Sequence, residues 1–472
     1  MKLKPPDFLS EHSLLAMVTA VCVLLTVVMT GIEPQLAPDS SSYLSFAPTR
    51  PLGYPLFLDL FRTSSGLINL ELVIVSHWCV FLIANLVLVQ VLRRLVGPIL
   101  AFLVMIILTA NPFLIEYHQK VLTESLFISA CILVVAMVYH LLNGVTIGKL
   151  AAYAAICCLA YWLRPVALAL PALLIVLIPL LWSQYKQHFA KHTIALLAPL
   201  VIFIAIDTLG MQIVHGDAPT ESLIVNHAFG KAALVSDDAY PQYPVREDPR
   251  KQVEHALEQG FAGVRQVIEN APNTPVAMFL SSNYEVFAQY QLARQPEFQL
   301  QSIPNLRSLQ YEVAISRLTR NPGQYLKLVW LNFNSCWTIT TFGDYFFAES
   351  TRSYLDRLDH IPFAHTDVLP DPKQPTLPAV MITLAIWLVG VFTTVIVPIG
   401  YFAFPRHRTI HIQLIFLFSV LINGYFLLIS LTGIGIPRYA LAAFPLMLVI
   451  GTLTLYELLR RVPLFNRLLR LS

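Results

Sequence analysis

The chain has 472 residues, of which 56% are hydrophobic and only 12% charged, with a mean hydropathy of +0.64. So few charges cannot cover the surface of a soluble protein of this length, which leaves a polytopic membrane protein. The net charge of +3 is small and carries no nucleic-acid signature.

In chain order, apolar runs predict helical spans at 13–32, 71–92, 97–115, 123–142, 150–163, 165–182, 194–213, 378–403, 410–431 and 438–459. Most are long enough to cross about 30 Å of hydrocarbon. The stretch 150–163 is short and reads as a steep or partial span, or as one arm of a hairpin with the next. The first span reads as an uncleaved signal-anchor, because no small-x-small cleavage site follows its apolar run. Pro171 and Pro179 permit a kinked sixth span. Asp207, in the seventh, reads as a group at a solvated helix end.

Basic residues orient these spans. Lys2 and Lys4, Arg93 and Arg94, Lys149, Lys186 and Lys191, Arg406 and Arg408, and the terminal Arg460, Arg461, Arg467 and Arg470 all fall on one side if the spans number ten. That side is read as the cytoplasm, with both termini inside. The expected fold is an all-α polytopic membrane protein of about ten transmembrane helices with an extracytoplasmic α-rich domain. Residues 1–213 form an N-terminal transmembrane module with outer loops that carry the chemistry, 214–377 the extracytoplasmic domain, and 378–472 the C-terminal transmembrane helices.

Within 214–377, Asp248-Pro249 followed by Val253, Ala256, Leu257, Phe261, Val264, Val267 and Ile268 predicts a capped amphipathic helix. Asn321-Pro322 followed by Tyr325, Leu326, Leu328, Val329, Trp330 and Leu331 predicts a second, whose aromatic content suits the membrane interface; the alternative is that 324–342 dips into the bilayer. The six cysteines form no disulfide framework or zinc spacing, and the histidines show no metal motif. No structural metal is indicated.

The outer turns collect polar residues: Asp39, Tyr43, Arg50 and Tyr54 in the first loop, Glu116, Tyr117, His118, Lys120 and Glu124 in the second, Arg164 in Leu163-Arg164-Pro165, and Arg438 with Tyr439 in Pro437-Arg438-Tyr439. Acidic groups beside hydrocarbon are costly and are usually kept for a task. Arg50, Arg164 and Arg438 stand at outer helix ends against the inside rule, and the planar guanidinium fork matches phosphate oxygens. A phosphate held there points to a phospholipid or polyprenyl-phosphate head group. Each residue also has a plainer reading: Asp39 as a helix N-cap, Glu124 as a charge at a helix N-terminus, Lys120 as a snorkelling lysine, Arg50 as a partner of Asp39, and the tyrosines as interfacial belt residues.

A carboxylate loop after the first span, Arg50-Pro51-Leu52-Gly53-Tyr54-Pro55, an acidic residue opening the fourth span, Arg164-Pro165 after a short span and Arg438-Tyr439 opening a late one together resemble the GT-C glycosyltransferases. The nearest groups are the protein O-mannosyltransferases and the lipid A aminoarabinose transferases. The resemblance covers the first half and the last span and implies a GT-C-like fold. It implies that a sugar moves from a polyprenyl-phosphate donor to a lipid, glycan or protein acceptor on the outer side of a bacterial inner membrane, with inversion.

On that resemblance, Asp39 is the general base, and Glu124 the second acidic residue, which orients the acceptor or nearby basic groups. Lys120, Arg164 and Arg438 bind the donor phosphate, and Arg50, Tyr54, Glu116, Tyr117 and Tyr439 bind substrate. The usual Asp-Glu pair is Asp39-Ser40 here, and the second acid is Glu rather than Asp. Both departures weigh against a bound divalent ion, and no cofactor is firmly implied. Three other readings stay open. An O-antigen polymerase or ligase would rely on Arg and His of the large outer segment. A lipid-linked-sugar transporter or flippase would show inverted repeats and polar groups at mid-bilayer. A receptor or scaffold would leave the outer arginines without a role.

Overall fold

A computed structural model describes residues 11–37, 39–216, 223–236, 248–270, 275–290, 292, 298, 300–338, 377–405, 408–433 and 437–462. Among them there is no strand beyond two isolated bridges, and helices dominate. Each of the ten predicted spans falls on a helix, and five helices are long and apolar enough to cross a membrane. The protein is an all-α, multi-span membrane protein. It divides into one compact unit of residues 1–220, 391–425 and 441–472, and a second of 221–390 and 426–440.

The first unit begins with α1 (Glu11–Thr30), two short loop helices α2 (Ser40–Leu44) and α3 (Gly53–Asp59), and α4 (Leu70–Val96). Asn69 starts α4 by accepting the Leu72 amide at 3.1 Å, satisfying a donor that a helix N-terminus leaves open. Gly97 ends it with a φ of +83°, a backbone conformation that side chains disfavour. The next residue starts α5 (Pro98–Thr109), where proline costs no hydrogen bond. The helix predicted over 97–115 stops at Thr109, and α6 (Pro112–Gln119) begins after Asn111-Pro112, because the residue before proline is pushed out of helical backbone. There follow α7 (Glu124–Leu142) and α8 (Ile147–Leu163), the latter capped by Thr146. Helices α4, α7 and α8 pack in succession, and α8 packs on the long helix Phe189–His215.

The segment 165–180 is not one helix. It breaks into a 3-10 turn over Pro165–Leu168 and short helices at Ala169–Ala172 and Leu174–Leu180, as expected where Pro171 and Pro179 remove backbone donors. Asp207 is not at a solvated end. It lies two turns inside Phe189–His215 and is half-buried. At the other end of this unit, His411 Nδ1 lies 2.7 Å from Glu457 Oε1 and its Nε2 lies 3.0 Å from the Leu95 carbonyl. Glu457 also pairs with Arg460 at 2.7 Å. This clamp ties the end of α4 to the helices Ile410–Thr432 and Phe444–Leu459.

The second unit has its own core. The predicted amphipathic helix runs Pro249–Asn270, with Asp248 Oδ1 accepting the Arg250 amide at 3.0 Å. It buries Val253, Ala256, Leu257, Phe261, Val264 and Val267 against residues of Leu223–Ala233, Pro275–Tyr290 and Leu306–Arg320. Phe261 is fully buried, worth about 1.5–3 kcal/mol. The second predicted helix, Pro322–Thr338, does not lie free on a surface. Leu328, Val329, Leu331, Phe333 and Trp337 are buried, while Leu326 and Trp330 stay exposed. Arg317, wholly buried, donates to the Val235 carbonyl and pairs with Glu258. Arg265 pairs with the same carboxylate and donates to the carbonyls of Ala233, Leu257 and Glu258. Lys231 pairs with Glu285 at 3.3 Å, and Glu285 also accepts from Ser281 and Asn332.

Candidate active site

The two outer loops of the first unit are joined through backbone. Gln35 donates its amide to the Gln119 carbonyl at 2.9 Å and accepts the Val121 amide at 3.0 Å, a parallel bridge opposite Lys120. Ser40 Oγ adds a bond to the Val121 carbonyl at 2.9 Å, and Gln119 Nε2 donates to the Thr30 carbonyl at 2.8 Å. The loop carrying Asp39 is thereby attached to the segment that leads into Glu124.

Asp39 precedes α2, but its side chain makes no capping bond. Its carboxylate goes instead to Arg50, with Asp39 Oδ1 2.9 Å from Arg50 Nη2. Arg50 also donates from Nε to Ser42 Oγ at 2.8 Å and from Nη1 to Tyr43 OH at 3.3 Å, and it lies 4.4 Å over the Tyr43 ring. The pair is partly open, with 29% of the Asp39 side chain and 15% of the Arg50 side chain exposed.

A second acid–arginine pair is shut in. Arg164 Nη1 lies 3.1 Å from Glu124 Oε1, with side-chain exposures of 8% and 3%. Arg164 sits in extended backbone between α8 and the 3-10 turn, with its guanidinium 5.7 Å over Phe127. Thr123 Oγ1 is 3.4 Å from Glu124 Oε2 and lies beside the Tyr43 hydroxyl. Tyr43 therefore stands near both Arg50 and Thr123, the residue before Glu124.

Behind Tyr43 is a buried polar chain. The Tyr54 ring meets Tyr43 edge-on at 5.1 Å, and its hydroxyl is 3.3 Å from His77 Nε2. His77 Nδ1 is 3.2 Å from the His118 carbonyl, so His77 carries its proton on Nδ1 and accepts from Tyr54. His118 Nδ1 is 2.7 Å from Ser125 Oγ. Burial raises the pKa of Tyr43, against the lowering effect of Arg50, and raises that of Tyr54 well above the ordinary tyrosine value. Burial, with His77 beside it, lowers His118 to about 3. Gly53 sets α3 against α8: a Cβ there would stand 2.6 Å from Trp162 Cβ and 2.9 Å from the Trp162 carbonyl oxygen. Tyr54 is the next residue, and Arg164 lies two residues beyond Trp162.

The expected site residues thus fall into three groups. Asp39, Arg50, Glu124 and Arg164 come together around Tyr43, with Tyr54 behind it at 0% exposure. Glu116 and Lys120 pair with each other across one helical turn, with Lys120 also 5.3 Å over the Tyr117 ring, so this triad satisfies itself. Tyr439 belongs to the helix Pro437–Ala442 of the second unit, and the Arg438 side chain lies outside the described residues. Tyr43, Thr123, His77 and Ser125 were not assigned roles from sequence. Their signal was polar residues recurring on otherwise apolar helix ends, which reads equally as interface. Among the described residues no group of three His, Cys, Asp or Glu side chains is arranged to hold a metal ion.

No protein-family model matches the sequence, and no curated protein matches it. Among solved structures the chain is similar to ArnT from Cupriavidus metallidurans bound to undecaprenyl phosphate, at 14% identity over 89% of this chain and 77% of that one, with a TM-score of 0.36.

Proposed function

We propose that this protein is an integral-membrane glycosyltransferase that moves a sugar from a polyprenyl-phosphate donor to an acceptor at the outer face of the membrane. The observation that carries this reading is the meeting of two acid–arginine pairs, Asp39–Arg50 and Glu124–Arg164, beside one buried tyrosine. One partly open carboxylate beside guanidinium groups is what a metal-free sugar transfer from a phosphate requires. Asp39 takes the proton of the acceptor hydroxyl or amine, whose freed lone pair attacks the anomeric carbon. The bond from that carbon to the phosphate oxygen breaks, and the lipid phosphate leaves with both electrons. Arg164 and, once it leaves Glu116, Lys120 are the proposed stabilisers of that departing charge, and one displacement inverts the anomeric centre. Glu124 holds Arg164 in place. Tyr54 is fully buried and supports Tyr43 rather than lining the site.

The polymerase or ligase reading relies on arginines of the large outer segment. There Arg265 and Arg317 are taken up by backbone carbonyls and Glu258, which weighs against it. Under the transferase reading the segment 214–377 recognises the acceptor, and exchange of 240–320 should change acceptor choice while donor binding persists. The mechanism is tested by Asp39→Asn. Transfer from a polyprenyl-phosphate sugar should fall by about 10²- to 10⁴-fold with the thermal unfolding midpoint in detergent unchanged. A variant as active as the wild type would remove Asp39 as the base.

A further inference from the structure

We infer that Arg50 is an exchange residue: Asp39 holds its guanidinium in the resting protein, and the phosphate of an entering polyprenyl-phosphate lipid takes it over, which seats the phosphate and releases the Asp39 carboxylate from Arg50 in one event. The inference rests on the transferase reading and adds an order to it, donor before base. Four observations support it. The hydrogen-bond partners of Arg50 are the Asp39 carboxylate and the hydroxyls of Ser42 and Tyr43, and not backbone carbonyls; the Asp39 and Ser42 side chains can rotate away. Its link to Asp39 is a single contact from Nη2 to Oδ1, not the two-point match a guanidinium makes with its best ligands.

The pair is also open to an incoming ion, at 29% and 15% exposure, where the Glu124–Arg164 pair is not. Partly exposed pairs are weak, and a polyprenyl-phosphate sugar brings a phosphodiester anion whose phosphate gains a second negative charge and a third terminal oxygen as the sugar leaves. Lastly, the guanidinium lies 4.4 Å over the Tyr43 ring, which is buried and held by Tyr54. It can shift across that face from one anion to another without losing the ring contact. Release of Asp39 leaves α2 intact, since the carboxylate does not cap it.

The test uses a polyprenyl monophosphate without sugar, titrated into the full-length protein in detergent. Asp39→Asn should tighten binding about two- to fivefold by removing the competing carboxylate, and Arg50→Gln should weaken it about tenfold or more. In the double variant the gain from Asp39→Asn should vanish. Unchanged or weaker binding in Asp39→Asn overturns the exchange, and so does a gain that survives in the double variant, since that would be a general charge effect. Inorganic phosphate run in parallel separates the sources: an affinity equal to that of the lipid overturns the lipid head group as the ligand. If the wild type shows no saturable lipid binding, the phosphate site itself falls. If it binds, and Arg164→Gln abolishes binding while Asp39→Asn and Arg50→Gln leave it unmoved, the exchange alone falls.

Discussion

Arg317 in the second unit and Arg50 in the first are both paired with carboxylates, yet they are held in opposite ways. Arg317 is fully enclosed and bonded to the Val235 carbonyl as well as Glu258, and its neighbour Arg265 reaches three more carbonyls. Arg50 is held by a carboxylate and two hydroxyls and stays partly open. Burial of charge is common to structural and functional arginines. What separates them is whether the partners can leave: backbone carbonyls are fixed by the helices they end, and side chains are not. By this criterion the second unit uses its buried charges to define its core, while the outer loops of the first keep theirs available.

The largest expected effect tests the fixed side of this contrast. Arg317→Ala removes one of the two arginines on Glu258 and leaves the Val235 carbonyl without its donor; it should cost about 1–3 kcal/mol, seen as early thermal unfolding or protease cleavage within 221–390. A loss no larger than that of a surface variant would mean that the network is dispensable.

An effect of intermediate size comes from His118, which is wholly buried with Nε2 unpartnered among the described residues. Its pKa in the folded protein, about 3, lies below the ordinary 6.5. The unfolded chain therefore binds the extra proton first. The stability this neutral ring supplies is complete above pH 6.5 and is lost as pH falls from there toward 3. His118→Phe should flatten that acid limb in a thermal unfolding series, and an unchanged limb would assign it to other groups.

Smaller still, Arg50→Gln should shift stability by only about 0–1 kcal/mol despite its place in the site. A cost near that of Arg317→Ala would erase the distinction between the two regions. The smallest change is expected for Arg62→Ala, whose partner Asp59 is similarly exposed; it should stay within about 0.5 kcal/mol and sets the baseline for the others.

Much of the architecture was legible because lipid imposes a simple rule: a long apolar run has to form a helix there, so each predicted span falls on one. Pro171 and Pro179 pointed to a kink in the sixth span, whereas the break at Asn111-Pro112 was missed, since α6 reads as the tail of one span. The site was legible as a set of residues and, for Asp39 with Arg50, as one possible pair. Glu124 finds Arg164 forty residues away and in another segment, and nothing local pointed to that pair. The reading of Asp39 as an N-cap failed because a side chain can serve a helix or an ion pair, and nothing local decides between them. His77 was hidden for a related reason, since a polar group inside an apolar helix shows its purpose only when its partner comes from another segment.

The bridge between Gln35 and the backbone flanking Lys120 bears on how such a protein can diversify. Its bonds run between amides and carbonyls that every residue other than proline possesses, so the joint places almost no demand on which amino acids occupy it. Lineages can therefore replace the side chain at 120, and with it the local charge, without the two loops drifting apart. Variation there retunes the chemistry on a mount that stays put.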